Sequence, residues 1–306
     1  MNTLGEIIRI ERIQHNLTLE ELAGTSCSVS ALSRIELGQS APSRRTAEAL
    51  LQKLNLPLHL LDISLSPLEK EVAGLIRDIQ YSISNSNLPA LRKQYKALKL
   101  KVGKSSYYAD VLGLTKISIM QLEGASFEVL YTHTLDLIKK EQPHFDSHLL
   151  EKLLLTNTHI AILNHLAFYE MHYALDQSGH DDLKKEAVHI WKNLKTYISK
   201  KDKIAELPQL YTKIIEHLSS TLFRSGDYKK CISLAKEGIK ICIQYDTWTS
   251  KAALLELEGF AFLSLHDTTG AQLIREAYML YYVRGECEKA DALKEKAHGY
   301  GVEVLA

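Results

Sequence analysis

Apolar residues recur every three or four positions along most of the chain, the spacing that places them on one face of an α-helix. Leu4, Ile7 and Ile8 begin the first such stripe, and Thr3 can act as the N-cap of the helix that carries them. Strands would show Val, Ile and Thr alternating with polar residues, and such alternation is hard to find. The hydrophobic pattern therefore predicts an all-α protein.

Local signals place two further short helices close together. Thr18 is an N-cap with Glu21 three residues later, which makes a capping box, and the helix that it starts ends at Gly24. After a short turn, a third helix runs from about Ser28 to Leu37 and is closed by the glycine that follows. Two short helices joined by a tight turn predict a helix-turn-helix unit.

Two more helices complete the N-terminal region. Pro42 and Ser43 open the fourth helix, and Pro57 begins the fifth. The small core is expected to consist of Leu22, Ala23, Leu32, Ile35, Leu50 and Leu54. Five short helices around such a core describe a DNA-binding domain of the helix-turn-helix type.

The outward face of the third helix is predicted to enter the major groove of DNA. Small polar side chains let a helix backbone lie deep in the groove, and serine can donate to or accept from base edges. The predicted DNA contacts are Thr18, Ser28, Val29, Ser30, Ala31, Ser33 and Arg34. In the alternative, the serines only cap and solvate the helix, and Arg34 forms an ion pair with Glu36 or Glu11.

Basic residues are few in this region. Residues 1–62 hold six Lys and Arg against seven Asp and Glu, a net charge of −1. Arg44 and Arg45 begin the fourth helix, where backbone N–H groups also attract phosphate, and we expect at least one of them to contact the DNA backbone. One copy should bind weakly, which predicts a homodimer on a palindromic operator in double-stranded DNA.

The segment from "LTLEELA" through "SRIELG" to "LLQKLNLPLHLLD" resembles the λ-repressor-like (XRE) helix-turn-helix family. The shared features are the LTxEELA start, the SRIExG end of the third helix, the proline after the glycine and the closing hydrophobic segment. The turn is one residue shorter than the commonest pattern of the family. Leu19 stands where many members have a glutamine that holds a phosphate.

The remaining chain is a series of amphipathic helices separated by short polar breaks. The breaks come at intervals of roughly 15 to 25 residues, which predicts helix hairpins stacked as a right-handed solenoid. The segment "LYTKIIEHLSSTLFRSGDYKKCISLAKEGIKIC" looks like a tetratricopeptide repeat, with Tyr228 at the hairpin corner and small residues at Cys231 and Ala235. A weaker copy has His180 in place of the tyrosine. We therefore expect a helix-turn-helix domain over 1–64 and a tetratricopeptide-like domain over 65–306.

This pairing of domains resembles the RRNPP family, the PlcR-, Rgg- and PrgX-like peptide-sensing regulators of Gram-positive bacteria. The resemblance covers nearly the whole chain. It implies a quorum-sensing transcriptional regulator whose repeat domain dimerises and binds a short imported peptide on its concave face.

Side chains that pair with an extended peptide are expected on the inner helices of the solenoid. The candidates for the peptide site are Asn157, Asn164, His165, Tyr169, His217 and Arg224. An amide offers both a donor and an acceptor, which matches a peptide unit. In the alternative, Asn164 is a buried amide satisfied by a neighbouring helix and Arg224 is an ordinary surface residue. His217 stands eleven residues before Tyr228, where a PlcR-like protein would have an asparagine.

Charge and composition exclude several other classes of protein. Lys and Arg total 37 and so do Asp and Glu, which argues against coating nucleic acid by bulk charge. No apolar run approaches the ~20 residues of a membrane span, and the N-terminus lacks a signal peptide's apolar core. The four cysteines form no CxxC pair, so a cytoplasmic protein with reduced thiols is expected.

Motifs of enzymes and cofactor sites are missing. The sequence has no Walker A, GxGxxG, GxSxG or HExxH pattern, so we predict a protein that is not an enzyme and uses no cofactor. His144 and His148 have the spacing of metal ligands, but Pro143 puts them at a helix start and no acidic third ligand stands out. No metal site is expected.

Two other functions fit the same sequence. One is a dimeric repressor that needs no peptide, and the other is a tetratricopeptide adaptor whose N-terminal domain no longer binds DNA. A small neighbouring open reading frame with a secretion signal would favour the peptide-controlled regulator.

Overall fold

The computed structural model describes residues 4–40, 42–56, 67–103, 108–141, 145–176 and 180–304. Every regular element in these ranges is helical, with fifteen α-helices and one 3-10 helix, so the all-α prediction is confirmed. No helix within the described ranges is both long and apolar enough to cross a membrane. The chain divides into two compact units, residues 1–187 and 188–306.

Four helices form the N-terminal part of the first unit. They are α1 (Leu4–Gln14), α2 (Leu19–Ala23), α3 (Val29–Glu36) and α4 (Arg44–Lys53). The capping box is present, because the Thr18 hydroxyl accepts from the Glu21 N–H and the Glu21 carboxylate accepts from the Thr18 N–H. The hydroxyls of Ser28 and Ser43 cap α3 and α4 by accepting from the N–H groups of Ala31 and Thr46. The fifth helix expected after Pro57 lies outside the described residues.

The predicted core of this part is confirmed. All six predicted side chains are buried, together with Ile8, Ala47 and Leu51. Gly5 on α1 has a role that the hydrophobic pattern did not indicate. A Cβ built there would lie 2.0 Å from the backbone oxygen of Ile35, so only glycine lets α1 approach α3 this closely.

The rest of the first unit consists of further helices, most of which pack on their neighbours along the chain. They are α5 (Pro67–Ser84), α6 (Leu88–Val102), α7 (Ala109–Leu122), α8 (Phe127–Glu141), a 3-10 helix (Ser147–Lys152), α9 (Asn157–Asp176) and the start of α10 (Asp181–Lys200). Helices α5, α6 and α7 share one apolar cluster, and Ile117, Leu130 and Tyr169 centre another between α7, α8 and α9. The predicted domain boundary at 64/65 falls among residues 57–66, outside the described ranges.

The second unit continues the series of hairpins. After the end of α10 come α11 (Pro208–Arg224), α12 (Tyr228–Gln244), α13 (Lys251–Ser264), α14 (Gly270–Val283) and α15 (Cys287–Gly299). At the corner of the predicted repeat, Tyr228 lies 5.4 Å from Phe223 between ring centroids. Cys231 and Ala235 are fully buried, as close packing of the two helices requires.

Candidate functional site

The outward face of α3 is accessible in the structure. Ser28, Val29, Ser30 and Arg34 are exposed, whereas Ala31 and Ser33 are half-buried. The Ser28 hydroxyl caps the helix and lies 3.2 Å from the Ser30 hydroxyl. Thr18 is exposed too, with its hydroxyl engaged in the cap of α2. The helix therefore presents a small polar surface whose serines are held by local hydrogen bonds.

Glu36 is paired with Arg12, a residue that the sequence analysis did not single out. Two guanidinium nitrogens of Arg12 donate to the two carboxylate oxygens of Glu36 at 2.7 and 2.8 Å, and a third donates to the Leu17 carbonyl at 2.8 Å. The bond to Glu36 raises the pKa of Arg12. Glu36 follows Leu32 and Ile35 at core spacing on α3, which is the signal that would have predicted its burial.

Glu36 is bound by Arg12, so Arg34 does not form the ion pair with Glu36 that was the alternative to a DNA contact. The side chain of Arg34 is exposed, and it makes no ion pair within the described part of the chain. The other predicted acidic partner, Glu11, lies 3.9 Å from the ring of His15. Arg34 is therefore placed where it can reach an external group.

Lys53 also serves the interior of the domain. It is buried, and its ammonium donates to the carbonyls of Leu22 and Ala23 at 3.1 and 3.2 Å. A cation at the C-terminal end of α2 satisfies carbonyls that have no partner within the helix. Lys53 and Arg12 are therefore both engaged inside the domain, and these two of the six basic side chains of residues 1–62 are not available for phosphate contacts.

Arg45 is half-buried at the start of α4. Its guanidinium lies 4.5 Å from the ring centroid of Tyr108, the residue that precedes α7, and Tyr108 is itself buried. A guanidinium over an aromatic face is held by a cation–π interaction. The side chain of Arg44 lies outside what the structure describes. The expected phosphate contact at this helix start thus stays a prediction.

In α9, two of the predicted peptide-binding residues are buried. Asn164 is 5% exposed and Tyr169 is 0% exposed. The Tyr169 hydroxyl donates to the side-chain oxygen of Gln121 at 2.8 Å, and burial raises the pKa of Tyr169. Asn157 and His165 are half-buried. A peptide on this helix would reach His165 directly and Asn164 only if the packing around it opened.

The accessible side of α9 is aromatic, which the sequence analysis did not recognise. The ring of His172 lies 4.4 Å from that of Phe168 and stacks at 4.7 Å on Phe127 of α8. All three side chains are half-buried. A second ring pair lies beside the first, where Tyr131, one turn after Phe127 on α8, stacks at 6.1 Å on Tyr173, the residue after His172 on α9. We call the set His165, Phe168, His172 and Phe127 the aromatic face.

The last two predicted peptide-binding residues belong to the second unit. His217 is half-buried on α11 and stacks on Trp191 of α10 at 4.8 Å between ring centroids. Arg224 is exposed at the C-terminal end of α11. Within this unit they lie seven positions apart on one helix, two turns from each other.

No group of three or more His, Cys, Asp or Glu side chains that could hold a metal ion is found among the described residues. His144 lies outside those residues. His148 is described, and its Nε2 lies 3.7 Å from a carboxylate oxygen of Glu186.

A comparison with protein families identifies the N-terminal region. Residues 8–61 match the family described as Helix-turn-helix, a span that contains the exposed face of α3. This region of the chain is therefore a helix-turn-helix domain. No curated protein sequence matches the chain.

Solved structures share the fold of nearly the whole chain. PlcR from Bacillus thuringiensis in complex with the peptide PapR7 and DNA is 15% identical, covers 96% of this chain and 99% of its own, and has a TM-score of 0.60. The apo form of PlcR is 14% identical over 97% of this chain and 99% of its own, with a TM-score of 0.55. The SHP pheromone receptor Rgg2 from Streptococcus dysgalactiae is 16% identical over 97% and 99%, with a TM-score of 0.45. The two PlcR structures show that this chain has the fold of PlcR.

Proposed function

We propose that the chain is a DNA-binding transcriptional regulator whose helical body binds a short signalling peptide and thereby controls DNA binding. The single observation that carries this proposal is the exposed, small polar face of α3 on a helix-turn-helix domain. The fold shared with PlcR, a protein solved together with a peptide and DNA, supports the assignment of a sensor role to the body. Such a regulator acts in the cytoplasm.

The DNA-binding domain is assigned to residues 1–64. Ser28, Ser30 and Arg34 read or contact DNA from α3, and the backbone N–H groups at the start of α4 bind phosphate. With Arg12 and Lys53 engaged inside the domain, few cations remain for phosphates. One copy therefore binds weakly, and the regulator acts as a homodimer on a palindromic operator.

The sensor and dimerisation domain is assigned to residues 65–306. On α8 and α9 the aromatic face offers an apolar surface for peptide side chains. His165 lies at its edge, and Asn157, Asn164 and Tyr169 lie on the same helix. In the second unit, His217 and Arg224 are the residues assigned to the peptide.

DNA binding is tested first, with the full chain and DNA selected from a random pool. Fluorescence anisotropy should give at least about a hundredfold tighter binding to a full palindrome than to one half-site, with affinity that falls steeply with salt. Arg34→Ala should weaken binding, whereas Arg9→Ala, an exposed change on α1, serves as the matched comparison. Equal affinity for the half-site and the palindrome would remove the dimer from the proposal.

The sensor role is tested with synthetic short hydrophobic peptides encoded near the gene. A peptide that binds should raise the melting temperature of the chain and change its affinity for the palindrome. Operator binding without any peptide response would favour the repressor that needs no peptide. If the chain binds a peptide or protein but the selection from the random pool yields no DNA that it binds, the adaptor function would be favoured.

A further inference from the structure

Glu170 is a buried carboxylate on α9 that lacks a hydrogen-bond partner. Its side chain is 2% exposed, and among the described residues its Oε2 accepts no hydrogen bond. Burial of an unpaired carboxylate is costly, and side chains of this type are almost never fully buried without a partner. Glu170 therefore differs from His159, Asn164 and Tyr169, the other large polar side chains buried in the same helix, each of which has an interaction.

A second carboxylate lies close to the first. Glu186 on α10 is near enough for its charge to raise the pKa of Glu170, which burial raises more strongly. Glu186 accepts a hydrogen bond from the Ser147 hydroxyl, and its other oxygen lies 3.7 Å from the ring of His148, an exposed side chain. Neither carboxylate forms an ion pair with a lysine or arginine of the described chain.

Two aromatic rings adjoin the carboxylates. Tyr131 of α8 and Tyr173 of α9 stack with an interplanar angle of 21° and are half-buried. The charges of Glu170 and Glu186 raise the pKa of Tyr131, although its burial raises it more. The four side chains therefore form one cluster, which we call the acidic pocket: Tyr131, Glu170, Tyr173 and Glu186.

The chemistry of this pocket is that of a cation site. When both carboxylates are ionised they repel each other, and a positive charge between or beside them relieves the repulsion. Aromatic faces attract organic cations through their quadrupole. A divalent metal ion prefers six or more oxygen ligands, and the described chain brings no third carboxylate or histidine into a metal-binding group here. The aromatic walls favour an ammonium or guanidinium group instead.

We propose that Glu170 and Glu186, flanked by Tyr131 and Tyr173, bind a cationic group of the regulatory peptide, either its amino terminus or a lysine or arginine side chain. This assignment rests on the proposed peptide-sensing function. Tyr131 stands one turn after Phe127 on α8, and Tyr173 stands next to His172 on α9, so the pocket adjoins the aromatic face on both helices. The ligand is thus a short peptide that combines apolar side chains with one positive charge.

The test uses the full chain, without DNA, and small peptide probes. Acetyl-Phe-Lys-amide, acetyl-Phe-Arg-amide and Phe-Ala-amide with a free amino group each carry one positive charge, and acetyl-Phe-Ala-amide is the neutral control. Binding is followed by saturation-transfer NMR titration. At least one cationic probe should bind about tenfold more tightly than the neutral one. The identity of the tightest-binding probe then shows whether the pocket binds a side-chain cation or an amino terminus.

Matched variants locate the preference. Glu186→Gln and Glu170→Gln keep the shape of the side chain and should each bring the cationic probes to the affinity of the neutral one. Glu128→Gln makes the same change at an exposed position of α8 and should leave the preference intact. Glu186 is half-buried, so its variant gives the answer even if Glu170→Gln folds poorly.

Three results would overturn the proposal. The first is equal affinity for the cationic and neutral probes. The second is a preference for cationic probes that persists in both Glu170→Gln and Glu186→Gln. The third is a rise in the melting temperature of the wild type, but not of Glu186→Gln, on addition of calcium or magnesium chloride. The outcome is separate from that of the proposed function. If peptide control of DNA binding persists without a cation preference, only the pocket assignment fails. If the preference is present while no peptide changes DNA binding, the sensor function fails.

Discussion

Helices α3 and α9 both carry polar residues among apolar ones, yet they use them in opposite ways. In α3 the small polar side chains point away from the core, and the apolar ones form it. In α9 the polar side chains His159, Asn164 and Glu170 are buried with the apolar ones. Helix α3 leaves Val29, Ser30 and Arg34 exposed, whereas every residue of α9 from position 157 to 174 is buried or half-buried. A polar residue in a helix therefore indicates an accessible surface only where that helix also has exposed positions.

The buried polar groups of the two helices also differ in how they are satisfied. On α3, Glu36 has a bidentate partner in Arg12. On α9, Nε2 of His159 lies 3.3 Å from Asp110, and its Nδ1 lies 3.3 Å from the Thr156 N–H, which donates to it. Glu170 alone among these has an oxygen without a partner in the described chain. In folded proteins nearly all buried polar groups are hydrogen-bonded. The unsatisfied oxygen of Glu170 is an exception, and it marks a place where a ligand is expected.

The largest effect is expected at the ion pair of the DNA-binding domain. Arg12→Ala leaves Glu36 buried without its cation, which should cost about 3 kcal/mol of domain stability. Hydrogen exchange of α1–α4 measures the loss, and operator binding should fall with it. Arg9→Ala removes an exposed arginine from the same helix and should change neither. Unchanged exchange in Arg12→Ala would mean that the pair does not hold the domain together.

The next effect concerns pH and Glu170. The folded pKa of about 8 lies above the ordinary value of 4.5, so the folded chain keeps a proton that the unfolded chain releases. The stabilisation is full below about pH 4.5 and is lost as the pH rises towards 8. Urea unfolding at several pH values should show this fall in the wild type and a flatter curve in Glu170→Gln. Parallel curves would contradict the raised pKa.

A smaller effect is expected at Asn164. Because its amide is buried, Asn164→Ala should lower the free energy of unfolding by about 2 kcal/mol. Asn157→Ala makes the same change at the half-buried start of α9 and should cost less. Melting curves, with calorimetry once a peptide is identified, separate packing from ligand contact. Full stability with weakened peptide binding would make Asn164 a ligand residue and not a packing residue.

The smallest effect is expected on the open side of α3. Ser30→Ala removes one hydroxyl from an exposed face and should leave the melting temperature unchanged. It should alter base preference at one operator position by about 1 kcal/mol. Ser40→Ala, an exposed serine beyond the end of α3, is the control. Selection of DNA by both variants gives the measurement, and identical preferences would place Ser30 outside the base contacts.

What the sequence determined by itself is local. The capping box at Thr18, the caps at Ser28 and Ser43, and the six core positions of the N-terminal domain follow from side chains within a few residues of each other and from helical periodicity. The hairpin corner at Tyr228 belongs to the same kind. These features depend on one helix end or one helix face, and neighbouring residues fix both.

The tertiary structure decided which charges meet. Arg12 and Glu36 stand 24 residues apart, Lys53 and Leu22 stand 31 apart, and Arg45 reaches Tyr108 from another helix. Periodicity places each of these residues on a face of its own helix, but the partner depends on how the helices pack and on which face each one covers. For the same reason the sequence indicated polar residues in α9 but left open whether Asn164 is buried or faces a ligand. The acidic pocket, likewise, depends on side chains from three helices, α8, α9 and α10.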